Sequence, residues 1–314
     1  MSKEYNPQNT TEAPPLTKKI FGMNEYQWMT FRQKMSPLFF LAPALTLFCI
    51  FVLFPIFQSI WISFTSWNGF GAMEWVGLKN YQDLFVDPAF YTSLINNALW
   101  LVLTLFAPVL GLIIALFLNQ QVFGIKIVKS LFFLPFVINL VVIGLIFSWF
   151  YNPDLGLLVT IFEVFNVDIS PFLTNENTAT VRVILASLWP QTAYCMILYL
   201  TGLASMNAEV VEAARIDGAD KGSMLFRVII PQLRSATFIA TVVTIVGALR
   251  SFDLISIMTA GGPFGKTNVL AYFMYQEAIF NFKMGYGASI AVILLLFMLV
   301  FISLFLRVIV KGER

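Results

Sequence analysis

Residues 205–235 read SMNAEVVEAARIDGADKGSMLFRVIIPQLRS. The stretch is polar and patterned as helix, yet the chain is apolar on both sides of it. Val210, Val211, Ala213 and Ala214 make an apolar face, with Glu209, Glu212 and Arg215 beside it. Asn207 is placed to cap the start, and Gly218 allows a sharp turn. Leu225, Val228 and Ile229 form a second apolar stripe before a break at Pro231. A folded polar segment between two apolar runs is a connection between membrane spans. Geometry alone leaves two readings open: an interfacial helix or folded linker lying on lipid, or a docking element for a cytosolic partner. Small residues at Ala213, Ala214, Gly218 and Ala219 favour close approach of another protein surface.

The rest of the chain supports the membrane setting. Of 314 residues, 59% are hydrophobic and 33 are Phe. Only 11% are charged, against about 25% in soluble domains. A bilayer takes about 20 apolar residues per helix. Six runs qualify: Pro37–Phe64, Leu94–Leu118, Ser130–Phe150, Val183–Ala204, Ala236–Met258 and Gly287–Leu306. Arg250 and Asp253 interrupt the fifth. Pro108, Pro135 and Pro190 fall inside spans, where such breaks often shape a cavity. The expected fold is an all-α polytopic membrane protein of six transmembrane helices. Its parts are a polar tail over 1–36, a membrane domain over 37–310 holding the 205–235 loop, and a short tail over 311–314. The first tail is read as part disordered, with a short amphipathic helix near Tyr26, Met29 and Phe31.

Lys and Arg set the direction. One side carries Lys3, Lys18, Lys19, Arg32, Lys34, Lys126, Lys129, Arg215, Lys221, Arg227, Arg234, Arg307, Lys311 and Arg314. The other carries Lys79, Arg182, Lys266 and Lys283. Fourteen against four puts both termini and the 205–235 loop in the cytosol.

Several chemistries are excluded. There is no histidine, hence no Ser-His or Cys-His nucleophile system. Cys49 and Cys195 lie in apolar runs without metal or redox spacing and read as buried small hydrophobes. Nothing suggests nucleic acid. Residues 260–267, AGGPFGKT, resemble a phosphate loop with Ala260 for its first glycine. No strand precedes them, however, and span five delivers them to the extracytoplasmic side. An intramembrane enzyme lacks its nucleophile–base pair. A stand-alone secondary transporter would need an inverted repeat and a carboxylate relay. Asp253 is the one carboxylate inside a span, and no repeat is visible.

The stretch EAARIDGA, Glu212 to Ala219, followed by the proline of PQL, resembles the EAA loop of permease subunits of bacterial ABC importers. SFTSW followed by VGLKNYQDLF, SFDLISIMTAGGP, NVLAYFMYQEAI and GYGASIAVILLL follow the order of the carbohydrate branch, of the maltose and glycerol-phosphate type. The resemblance covers about residues 37–310. It implies a type I importer permease in the bacterial inner membrane, with no enzymatic chemistry and no cofactor of its own. It also implies a second homologous permease, two cytosolic ATPases that hold ATP and Mg, an extracytoplasmic solute-binding protein and a sugar-like substrate. In the family this loop is a coupling helix seated in the ATPase. The coupling residues implied are Glu212, Ala213, Ala214, Asp217 and Gly218, with Glu212 a polar anchor and Gly218 the turn.

For the path, span four offers Ser187, Trp189, Gln191, Thr192 and Tyr194 around Pro190. Aromatic faces stack on sugar rings, while amides and hydroxyls bond their hydroxyls. Trp189 lies about 9 Å below the start of its span at about 1.5 Å per residue. That is deeper than an interfacial belt, which is the competing reading. Laying this segment on the maltose-type permease implies Ser187, Trp189 and Tyr194 as lining positions, with Phe136 and the Gly247–Ala248 pair. Gly247 and Ala248 have no side chain that bonds a hydroxyl, which leaves room for a sugar other than maltose. Arg250 and Asp253, three apart, would share a helix face. They read either as a mutual ion pair or as an Arg250 contact to an anionic substrate group.

Overall fold

A computed structural model describes residues 25–120 and 122–312. Most of the 1–36 tail and the last two residues lie outside it. Two units are distinguished, Met1–Gln58 and Ser59–Arg314. In the first, the helix Glu25–Phe48 carries Pro37 and Pro43 inside it and runs into one wide turn, Cys49–Leu53. Its large apolar side chains are exposed, as on a lipid-facing helix. Cys49 is exposed with them, so it is not the buried residue expected from its apolar run. Cys195 is buried.

The second unit is helical apart from a two-residue antiparallel pairing of Thr65–Ser66 with Glu74–Trp75. Across both units, four helices are long and apolar enough to cross a membrane: Lys34–Ser63, Pro88–Leu118, Glu176–Ala204 and Met284–Phe305. Two bent helix pairs bring the count up to six when each pair is taken as one span. The breaks fall in the two spans where Pro135 and the Arg250–Asp253 interruption stand in the sequence.

Span three is Ile125–Val137 and Leu140–Phe150, bent by 99°. Pro135 lies inside the first helix, where it withholds an N–H and crowds the preceding turn. Ile138 and Asn139 are extended, and the Asn139 side chain accepts the Val141 N–H at 2.8 Å to start the second helix. Span five is entered through a 68° bend between Lys221–Gln232 and Arg234–Leu249. It ends at Leu249, and a six-residue helix, Asp253–Met258, follows after a break.

The core is built around Glu176–Ala204. Against it packs the helix Phe106–Leu118, where Ala107, Ala115 and Leu118 are wholly buried. Gly111 sits at the crossing. A Cβ there would stand 2.6 Å from the Cys195 Cβ and 2.8 Å from the Met196 nitrogen. The missing side chain is what lets the two backbones approach, as small residues do between helices in lipid. A second cluster joins Trp100, Ile143, Ile184, Ala248 and Leu254 around the breaks of spans three and five.

Candidate functional site

One cleft of about 600 Å³ lies where span four passes the two broken spans. Ser187, Pro190, Gln191 and Tyr194 line it from span four. Their spacing of three, four and seven is one face of a helix. Phe136 comes from the bend of span three, and Thr244, Gly247, Ala248, Arg250 and Asp253 from span five and the break after it. Phe136 and Tyr194 form a tilted ring pair with centroids 5.2 Å apart. The Gln191 Nε2 donates to Thr244 Oγ1 at 2.9 Å, and Thr244 donates to the Ala240 carbonyl at 2.7 Å. A Cβ at Gly247 would stand 3.9 Å from Gln191 Oε1, an ordinary contact, so the cleft has room at this position.

Trp189 is not among these residues. It lines a separate apolar pocket with Pro135, Thr192 and Met196, and its ring meets Phe147 edge-on at 5.8 Å. Two positions from both Ser187 and Gln191, it points about 200° away at about 100° per residue. Depth along the helix does not fix the face, and Thr192 lines the same second pocket as Trp189.

Arg250 and Asp253 do not share a helix face either. Arg250 caps the C-terminus of Arg234–Leu249, its N–H bonded to the Val246 carbonyl at 3.1 Å, while Asp253 opens the next helix. Both line the cleft, but the ion pairs among the described residues are Lys266–Glu176 and Lys283–Glu277. The mutual pair is thus not formed.

The break between them is held by residues that sequence reasoning overlooked. Asn97, 2% exposed, donates to the carbonyls of Ala248 and Leu249 at 3.4 and 3.5 Å. Its Oδ1 accepts from the Leu270 N–H at 2.7 Å. It thereby serves carbonyls that a helix end leaves without partners. Asn96 bonds the carbonyls of Lys266 and Asn268 at 2.7 and 2.8 Å. Two adjacent asparagines within an apolar run were the visible signal.

The Lys266 carbonyl belongs to the AGGPFGKT segment, and Asn268 follows it directly. The segment follows the helix Asp253–Met258 and turns through left-handed backbone at Ala260, Gly261, Phe264 and Gly265. Thr267, buried, bonds Thr259 and the Gly262 carbonyl, each at 2.8 Å. Lys266 pairs with Glu176 at 2.8 Å.

The 205–235 segment contains the helix Ala208–Ile216. Asn207 caps it, accepting the Glu209 N–H at 2.9 Å. At its end Ala219 N–H bonds the Ala214 carbonyl at 3.0 Å and Gly218 N–H the Arg215 carbonyl at 3.1 Å. Gly218 takes φ +81°, and this pair of bonds is the Schellman closure, which favours glycine. Asp220 then caps the next helix through the Gly222 and Ser223 N–H groups. Bonding by the Ser223 side chain and by those backbone groups holds its carboxyl below the ordinary range. Val211 and Ala214 are half-buried, whereas Val210, Glu212, Ala213, Ile216, Asp217 and Gly218 are exposed. The apolar face is therefore split. Two small residues are turned to the protein, and Val210, Ala213 and Ile216 are turned outward among carboxylates.

A multi-pass helical protein with an exposed capped helix and a cleft lined by both aromatic and polar side chains between broken spans fits the class of membrane transport subunits. The comparisons give the family. Residues 107–312 match the family described as "binding-protein-dependent transport system inner membrane component", and this chain is a member of it. The probable ABC transporter permease protein YurN of Bacillus subtilis is 37% identical, over 85% of this chain and 94% of its own. The sn-glycerol-3-phosphate transport system permease protein UgpA of Pectobacterium atrosepticum is 29% identical over 85% and 91%. A chain of the bacterial alginate ABC transporter, solved in complex with alginate pentasaccharide-bound periplasmic protein, superposes with a TM-score of 0.76 at 20% identity, over 90% and 96%. The fold is that of a type I ABC importer permease, and the chain is a transport subunit rather than an enzyme.

Proposed function

We propose that this chain forms half of the translocation path of an ATP-driven importer for a sugar or sugar derivative. A second, homologous permease supplies the other half, and two cytosolic ATPases carry ATP and Mg. A solute-binding protein delivers substrate at the outer face, and both termini face the cytosol. The observation that carries the reading is the Ala208–Ile216 helix. It is capped at both ends and presents Val210, Ala213 and Ile216 to solvent beside Glu209, Glu212 and Asp217. The rim carries three carboxylates and one cation, the exposed Arg215. This excess of acid suits a protein cleft better than lipid headgroups, which favour Lys and Arg. The names of the relatives, which include a sn-glycerol-3-phosphate and a multiple sugar-binding transport permease, support the substrate class.

ATP-driven closure of the ATPases would pull on this helix. Span five starts a few residues after its partner helix and ends at the cleft, so tilting the segment moves Gly247 and Arg250 relative to Gln191. A solute is moved only if the two arrangements hold it differently. Complexes purified through a tag on this chain should contain an ATPase and a second permease. Glu212→Trp should lower ATP-coupled uptake by roughly tenfold or more, the scale of a lost interface anchor. Normal coupled uptake in that variant would overturn the assignment of the helix.

A further inference from the structure

Arg250 and Asp253 carry opposite charges, stand three residues apart and line one cleft. Among the described residues neither belongs to an ion pair. A break in the helix at Ser251 and Phe252 separates them. A charge within a membrane span is costly and is normally met by a partner or a water-filled cavity. For Arg250 the carbonyl end of a 16-residue helix offsets part of its charge. Arg250 is exposed in the chain alone and contributes to the cleft lining. It meets no carboxylate among the described residues, and its guanidinium is a planar fork of N–H donors. A guanidinium so placed fits groups with two or three oxygens on one atom: carboxylate, phosphate or sulfonate. Asp253 accepts from hydroxyls and repels the same anion. The two charges therefore set an orientation, anionic group toward Arg250 and hydroxyls toward Asp253. The Phe136–Tyr194 ring pair lines the same cleft and offers an aromatic face to a sugar ring. The cleft volume, about 600 Å³, is within the range that buries a small ligand.

We infer that the transported solute is an acidic sugar or sugar derivative and that Arg250 binds its anionic group. This rests on the importer reading above and narrows its substrate class. The test uses the whole complex, purified through this chain and placed in proteoliposomes with its binding protein. Glucuronate, glucose 6-phosphate and glycerol 3-phosphate are compared with glucose and maltose. ATP-driven uptake of at least one acidic probe is expected. Arg250→Gln should cut it roughly tenfold or more, the scale of a lost charge-assisted bond, and Arg250→Lys should restore it in part. Uptake of neutral probes alone, equal acidic uptake in Arg250→Gln, or no uptake of any acidic probe overturns the inference. Those results leave the importer reading standing wherever an ATPase co-purifies, and a wild-type chain that isolates without an ATPase breaks that reading instead. If Arg250→Gln fails to assemble, Arg250→Lys and the wild-type probe preference still decide.

Discussion

Gly218 and Asp220 stand two residues apart and make the same turn by different means. Gly218 supplies a left-handed backbone, φ +81°, with nothing within 4 Å of where a Cβ would sit. Gly218→Ala should thus strain the backbone without a clash, at a cost of about 1 kcal/mol. Faster amide exchange at Ala219 would report it, and Gly218→Asn should be milder because asparagine tolerates this conformation. Asp220 acts through its charge. Its folded pKa is depressed, so its contribution is full above the unfolded, ordinary carboxylate value. It is lost as pH falls through the lower folded value. Exchange protection at Gly222 and Ser223 should hold at neutral pH, fall only on acidification past the carboxylate range, and lose that dependence in Asp220→Ala. The Asn207 cap and the Gly218 turn were legible in the sequence because capping and positive φ are local. Trp189 lines a different pocket from Ser187 and Gln191 because depth along a helix says nothing of the angle around it.

Among the elements, two are placed by contacts distant in sequence. Gly111 lets the helix Phe106–Leu118 reach span four, and Gly111→Leu has no space to enter. Overpacking of this kind costs about 1–3 kcal/mol and sometimes the fold itself, so the melting temperature of the purified complex should drop. Asn97 ties the end of the Arg234–Leu249 helix to Leu270. Asn97→Leu leaves buried backbone groups unpaired, at about 1–3 kcal/mol each. Limited proteolysis should then open the chain near residues 249–252, and a variant as resistant as the wild type would remove this role. Neither the 99° bend of span three nor the end of span five at Leu249 is evident in hydropathy. A window of apolar residues registers their presence and is blind to backbone direction. Pro135, Asn139, Asn97 and the Arg250–Asp253 interruption were the local signs, and each is ambiguous alone.

At the scale of the molecule, six apolar segments and one exposed helix define a part that works with other chains. On the proposed reading a second permease walls the path and an ATPase covers the outward stripe of Val210, Ala213 and Ile216. Loss of Glu212 contacts should therefore uncouple ATP hydrolysis from uptake while leaving the isolated chain as stable as before, since Glu212 is exposed. Equal melting temperatures with divergent uptake are the expected pair of results.

By itself the sequence determined the helical membrane class, the number of apolar segments, the capped 205–235 segment and the family. These follow from hydrophobic length, local capping and motif order, all of which act within a few residues. Only the tertiary structure decided where spans three and five break, which face of span four meets the cleft, and that Arg250 and Asp253 stand apart. Those outcomes depend on buried carbonyls finding donors from distant helices and on the close approach permitted at Gly111. A pattern along one strand of sequence carries no record of what packs across from it.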